Sequence, residues 1–423
     1  MSGSEPEGAS RACQTGAAPR YLPRTETSGR GGGMRATHAI GAVVSGAPAA
    51  AEVPSTSSAS ARVAGVWLLM GHRAGDNTQV LALGEALGWP FEVKRFAYKP
   101  YERFLNLPFM ATLAGVVKSQ SSALAPPWPD LVLTAGRRNE PIARWIKRAA
   151  GGRTRLVHVG RPWARLDRWD LVVTTPQYRL PHGPTVLHNE APLHRVTPER
   201  LAKAAREWGP RVAHLPRPYI AVLAGGPSGP YPFDPVSGAK LARQASELAE
   251  KRGGSLLITT SARTPAATTD ALFAGVTVPS MLYPWRRDDP ENPFFGFLAL
   301  ADAIVVTADS VSMMTEACAT GMPVYFYDTG EGKTSMREPQ TPPSTPLAWW
   351  QHLSPAFAKA LVYRWTMRLG PTRLTRDIRI VQRRLVESGR AAWLGDGEPA
   401  GNPPPLEDVA RAAQRVRGLF AAS

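Results

Sequence analysis

Residues 302–327, DAIVVTADSVSMMTEACATGMPVYFY, constrain the architecture more than any other stretch of the chain. Ile304-Val305-Val306 is a short β-branched run of the kind that fills a buried parallel strand. Thr307-Ala308-Asp309-Ser310 breaks it, and Ser312 to Cys318 reads as a helix with Met313, Met314 and Ala317 at helical spacing. Gly321 and Pro323 end that helix, and Val324 to Tyr327 opens the next strand. A helix start with free N–H groups beside Ser310 and Ser312 is an anion site. Glu316, one turn further on, is placed to point over the same mouth. Serines for a diphosphate and a carboxylate for ribose hydroxyls are what a nucleotide-sugar site needs. The same residues also read as plain helix chemistry, with Asp309 and Ser310 as caps and Glu316 as a solvated first-turn acid.

The unit recurs along the chain. Val66 to Met70 is an apolar strand, followed by the turn Gly71 to Asp76 and a helix from about Asn77 to Leu87. Further strands are expected at 92–97, 131–134, 156–159 and 171–174, with a helix at about 140–149. The pattern then restarts. Residues 209–218, with three prolines, read as a linker. A strand at 219–223 leads into Gly225-Gly226-Pro227-Ser228-Gly229, then a helix at about 236–251 and a strand at 256–259. Strands alternating with helices mean βαβ units. Two successive series predict an α/β protein of two Rossmann-like domains facing across a cleft, followed by C-terminal helices.

The expected divisions are a disordered extension over 1–62, with Met34 or later as an alternative start. A first, acceptor domain over 63–208 and a second, donor domain over 219–340 follow, with a helical extension over 341–423. Residues 346–369 read as aromatic-rich helix, and the 373–385 stripe as a helix packed on the domains with a basic outer face. Its alternative is membrane-surface contact, as for the basic and apolar stretch 98–118, which reads otherwise as a buried helix plus a loop.

Composition narrows the function classes. Hydrophobic content of 43% suffices for two packed cores. Cys13 and Cys318 are the only cysteines, which excludes a disulfide framework and a cysteine-based zinc site and suits a reducing cytoplasm. His182, His188 and His194 lack companions at metal-site spacing, and His158 in an apolar strand reads as a satisfied core histidine. No metal and no cofactor are expected. A net charge of +16 points to an anionic substrate or membrane surface. No nucleic-acid signature accompanies it, and no apolar run reaches the ~18 residues of a spanning helix.

Several motifs in order resemble the elongated-mitochondria family over roughly 63–345. They are Gly71-His72-Arg73-Ala74-Gly75-Asp76-Asn77, Thr134-Ala135-Gly136-Arg137-Arg138, Gly225-Gly226-Pro227, Thr260-Ser261-Ala262-Arg263-Thr264-Pro265, Asn292-Pro293 and Thr307-Ala308-Asp309-Ser310-Val311-Ser312-Met313. Plant members of that family are known for mitochondrial fission. Bacterial members are described as glycosyltransferases or, in older usage, as nucleoside-diphosphate-sugar epimerases. More remotely the chain is similar to GT-B glycosyltransferases that use nucleotide sugars and lipid-linked acceptors.

The resemblance implies a GT-B glycosyltransferase, cytoplasmic and peripheral on the inner membrane. A non-hydrolysing epimerase and a non-catalytic fission adaptor are the alternatives. By the same resemblance Glu316 binds the donor's ribose, and Ser310, Ser312 and the turn of Gly225, Gly226 and Ser228 hold its diphosphate. Arg263, past a strand end, neutralises the leaving nucleotide, and otherwise reads as a surface arginine. Asp76 and His72 are the candidate general bases on the acceptor side; Asp76 is equally a natural N-cap. Arg137 and Arg138 line the cleft or bind acceptor phosphate.

Overall fold

The computed structural model describes residues 65–100, 110–229, 231–287, 289–330, 335, 337, 355–371, 375–401 and 403–421. The expected extension over 1–62 and residues 346–354 of the aromatic stretch lie outside them, as does 101–109 of the basic stretch.

The first sheet contains β1 (Val66–Met70), β2 (Phe91–Arg95), β3 (Leu131–Ala135), β4 (Arg155–Val159), β5 (Leu171–Thr174) and β6 (Val186–His188). Its order is β2-β1-β3-β4-β5-β6 and every pairing is parallel. β1, β3 and β5 are buried at every position, as strands covered by helices on both faces must be. Helices α1 (Ala74–Leu87) and α2 (Glu140–Ala149) pack on it.

The second sheet contains β7 (Tyr219–Leu223), β8 (Ser255–Thr259), β9 (Ser280–Tyr283), β10 (Ala303–Thr307), β11 (Val324–Tyr327) and β12 (Ala391–Trp393). Its order is β12-β11-β10-β7-β8-β9, again all parallel. Around it lie α3 (Pro198–Val212), α4 (Pro235–Arg252), α5 (Ala266–Ala274), α6 (Phe294–Leu300), α7 (Val311–Cys318), α8 (Pro355–Leu369) and α9 (Arg379–Glu387). Pro198 and Pro235 open their helices behind capping residues: Thr197 accepts from Arg200 N–H at 3.2 Å and Asp234 from Ser237 N–H at 2.8 Å. The fold is α/β with two Rossmann-like halves.

Two segments depart from the sequence expectations. Residues 209–218 are helical as far as Val212, with Pro210 inside α3. Trp208 and Val212 are buried with Tyr219 and Phe297 in the core of the second sheet, and that burial holds the helix through the proline. The chain end does not form one helical extension. β12 pairs with β11, while α10 (Asp408–Ala421) returns to the first sheet and buries Ala412, Ala413 and Val416 against the β1–β3 side. Asp408 fixes that return by accepting from the N–H groups of Glu190 and Ala191 at 3.0 and 2.9 Å.

Each sheet has one point where its strand order reverses. In the first it lies between β1 and β3, in the second between β7 and β10. Ligand crevices of such sheets open beyond the carboxyl ends of the strands at that point.

Candidate functional site

At the first reversal point β1 runs into Gly71 and β3 into Gly136. Two asparagines fix these exits. Asn77 accepts from Gly71 N–H at 2.8 Å and donates to Gly71 C=O at 3.0 Å. Asn139, 1% exposed, donates to Leu69 C=O at 3.0 Å and to Ala135 C=O at 3.4 Å, bridging β1 to β3. Asp76 does not cap α1. The cap position is Arg73, with no side-chain bond, and Asp76 lies within the first turn. Its carboxyl turns toward Gly136, where an added Cβ would stand 3.1 Å from Oδ2. Gly136 has φ 76°, a conformation glycine adopts freely. Burial pushes Asp76 above the ordinary carboxylate range, opposed by the charges of Arg73, Arg376 and His72. Beside it Arg137 stacks on Trp163 and Arg138 on Tyr98, 5.0 and 5.3 Å to the ring centres.

At the second reversal point β7 ends in the glycine turn and β10 in Thr307-Ala308-Asp309-Ser310. Asp309 does not cap α7 either. Its side chain is fully buried and accepts from Gly226 N–H at 3.2 Å and from Arg263 Nη2 at 2.7 Å. Arg263 Nη1 donates to Gly226 C=O at 3.0 Å. An added Cβ would strike the Asp309 carboxylate at Gly225 and the Arg263 carbonyl at Gly226, so both positions need glycine. Burial raises the Asp309 pKa and the Arg263 guanidinium opposes that rise.

This geometry bears on two expectations. The N–H of Gly225 is taken by Thr307 Oγ1 at 2.7 Å, that of Gly226 by Asp309, and that of Ser228 by Tyr231 C=O at 3.1 Å. Pro227 has none. These three amides have partners inside the protein. Arg263, in turn, has its charge balanced by a buried carboxylate at the junction of two loops, which reduces what it offers a leaving group.

α7 leaves this crevice with Ser310 at its cap position, where the hydroxyl makes no capping bond. Ser312, in its first turn, faces α1: a Cβ added to Gly75 would stand 3.0 Å from Ser312 Oγ. The starts of α1 and α7, one from each half, therefore meet at Gly75 and Ser312. Glu316 is not a solvated acid. It is 6% exposed and burial pushes it up to about 8, against the opposing charge of Arg195 from the first half. Arg195 is itself held by Glu85 through two hydrogen bonds.

Sequence reasoning missed Asn77 and Asn139 as the residues that shape the first crevice, and the inward turn of Asp309. Each is a polar residue next to a strand end, the pattern of any cap. His158 is in the core as expected, but neither ring nitrogen has a hydrogen-bond partner, and burial pushes it down to about 3. Among the described residues no cluster of His, Cys, Asp and Glu could hold a metal, and no helix is long and apolar enough to cross a membrane.

Comparison with known proteins gives matches in sequence and in fold. A family model described as Mitochondrial fission ELM1 matches residues 74–338. A protein of Arabidopsis thaliana, described as mitochondrial fission protein ELM1, is 31% identical over 337 residues, covering 74% of this chain and 69% of that protein. Among solved structures, UDP-GlcNAc 2-epimerase of Methanocaldococcus jannaschii has 11% identity and a TM-score of 0.42, over 85% of this chain and 100% of that one. MurG of Acinetobacter baumannii has 13% identity and a TM-score of 0.35, again over 85% and 100%. On the family model and the Arabidopsis relative, the chain belongs to the mitochondrial fission ELM1 family.

Proposed function

We propose that the chain is a GT-B-type glycosyltransferase that moves a sugar from a nucleoside-diphosphate donor to an acceptor hydroxyl. The observation that carries this reading is the apposition of Gly75 and Ser312, which sets the starts of α1 and α7 against each other at the reversal points of two sheets. In it the hydroxyls of Ser310 and Ser312 and the open N–H groups of α7 receive the diphosphate. Glu316, protonated by its burial, hydrogen-bonds the ribose. Asp309 and Arg263 act indirectly, as positioning residues that fix the glycine turn.

The acceptor enters from the first half. Asp76, or His72 beside it, takes the acceptor's hydroxyl proton as the oxygen bonds to the anomeric carbon and the carbon–oxygen bond to the nucleoside diphosphate breaks. Arg137 and Arg138 favour an anionic acceptor, including a lipid-linked one.

A second reading is favoured by the name of the Arabidopsis relative: an adaptor that keeps the fold and recruits a partner in membrane fission. Thermal stabilisation by a panel of UDP, GDP and their sugars separates the two. A shift supports sugar transfer, whereas no shift with a co-purifying partner supports the adaptor.

A further inference from the structure

Just ahead of α9 the chain crosses back to the exits of the first sheet. Residues 375–379 meet the short turn Pro176–Tyr178 that follows β5. Asp377 N–H donates to Gln177 C=O at 3.0 Å, and Arg161 Nη1 donates to Thr375 C=O at 2.5 Å. The buried Asp377 carboxylate is gripped from both halves. Arg179 Nη2 of the first donates to it at 3.0 Å, and Arg379 Nε and Nη2 of the second each donate at 2.9 Å. Charge-assisted bonds on both oxygens fix the segment as a strap. Arg179 has φ 50°, a left-handed conformation that a residue with a Cβ keeps only where its surroundings hold it.

The strap carries Arg376 into the first crevice. Its guanidinium lies 5.7 Å from the centre of the Tyr178 ring, and that of Arg161 lies 5.6 Å from the same ring. The Tyr363 hydroxyl donates to Arg376 C=O at 2.6 Å and holds the backbone there. Tyr178 covers the exit of β4, where a Cβ added to Gly160 would stand 3.6 Å from its ring. Asp76 covers the exit of β3 in the same way, over Gly136. β3 and β4 are paired neighbours, about 4.8 Å apart, so the aspartate and the ring with its arginine stand over adjacent strand exits. The charges that bear on Asp76 are Arg73 and His72 from its own turn and Arg376 from the strap. Arg137 and Arg138, on the loop after β3, are stacked on Trp163 and Tyr98. α7 approaches through Ser312, which carries no charge.

We infer that Arg376 is a positioning residue of the acceptor half, which the 375–379 strap brings across to set a fixed positive charge beside the Asp76 carboxyl. There it favours the ionised carboxylate, the form that can accept a proton, against the burial that disfavours it. The pairing holds whether or not sugar is transferred, whereas its part in catalysis rests on the sugar-transfer reading. The test is a carbon NMR titration of the carboxyl signals of full-length protein labelled at aspartate, with the Asp76 signal assigned by its loss in Asp76→Asn. Arg376→Gln removes the charge at similar size and is expected to move the Asp76 midpoint up by about one pH unit. Arg376→Lys keeps the charge and is expected to titrate as wild type. Arg179→Ala loosens the strap and is expected to move the midpoint the same way by less. In a transfer assay the rising limb of the rate against pH moves up with the midpoint in Arg376→Gln. A midpoint unchanged in Arg376→Gln, or raised equally in Arg376→Gln and Arg376→Lys, overturns the inference, as does Arg179→Ala protein that titrates as wild type. A protein that transfers no sugar, or transfers it without Asp76, overturns the sugar-transfer reading and leaves this titration as it stands.

Discussion

Ser312 occupies the notch left by Gly75. A Cβ on the glycine would come within 3.0 Å of the serine Oγ, so the two helix starts touch at a point with no room for a larger residue. A substitution at one position should therefore depend on the other. In a double-mutant cycle of thermal stability, Gly75→Val and Ser312→Ala are expected to couple by about 1 kcal/mol, with Ser312→Ala relieving the crowding. Strict additivity would separate the two helix starts.

Arg263 and Asp309 are expected to behave as a unit. Arg263→Ala leaves a buried carboxylate with Gly226 N–H and the Thr307 side chain as partners, and the half-exposed arginine limits the loss to about 1–3 kcal/mol. The Asp309 pKa is already raised by burial and rises further without its cation. A raised carboxyl favours the fold below its ordinary value of 3.8 and loses that contribution as pH rises. The Arg263→Ala deficit should accordingly grow with pH, and Asp309→Asn added to it should recover part of the loss. A deficit independent of pH would count against the buried pair.

Glu316 sets a second pH window. Its pKa rises from 4.5 to about 8 on burial, so its stabilising contribution is complete below 4.5 and is lost as pH climbs toward 8. Glu316→Gln has no such loss. The variant's melting temperature is expected to gain on wild type across that interval, and a constant difference would show that the carboxyl is not buried as described. Glu316→Ala should weaken nucleotide binding; unchanged binding removes it from the ribose site.

Asp76 is expected to matter to transfer and not to donor binding. Asp76→Asn should keep nucleotide-induced stabilisation and slow transfer by about 100-fold or more. Because burial raises the Asp76 pKa, the wild-type rate should climb with pH above the ordinary carboxylate range. Retained transfer in Asp76→Asn, with loss in His72→Ala, would move the role to His72.

The central strands were legible because parallel strands buried on both faces must be apolar throughout, as Val66–Met70 and Tyr219–Leu223 are. β6, β9 and β12 were not, because they are short edge or near-edge strands, partly exposed, and defined by their neighbours. The turns that converge on the cleft were legible as glycine and hydroxyl clusters at strand ends. The direction of Asp309 was not: an aspartate after a strand has the same signature whether it caps a helix or plugs a glycine turn. Only the approach of Gly225 and Gly226 to it decides. The burial of Glu316 was hidden for a related reason: an acid on a helix has the same signature whether it faces solvent or the interior.

The measurement that bears most directly on the cleft as a donor site is a thermal-shift titration of the full-length protein with UDP, GDP and their sugars, run in parallel on the Ser310→Ala, Ser312→Ala double variant. Stabilisation of the wild-type protein by at least one nucleotide sugar, lost in the double variant, is the expected result. A wild-type protein that responds to none of them, or a double variant that responds equally, would contradict the account.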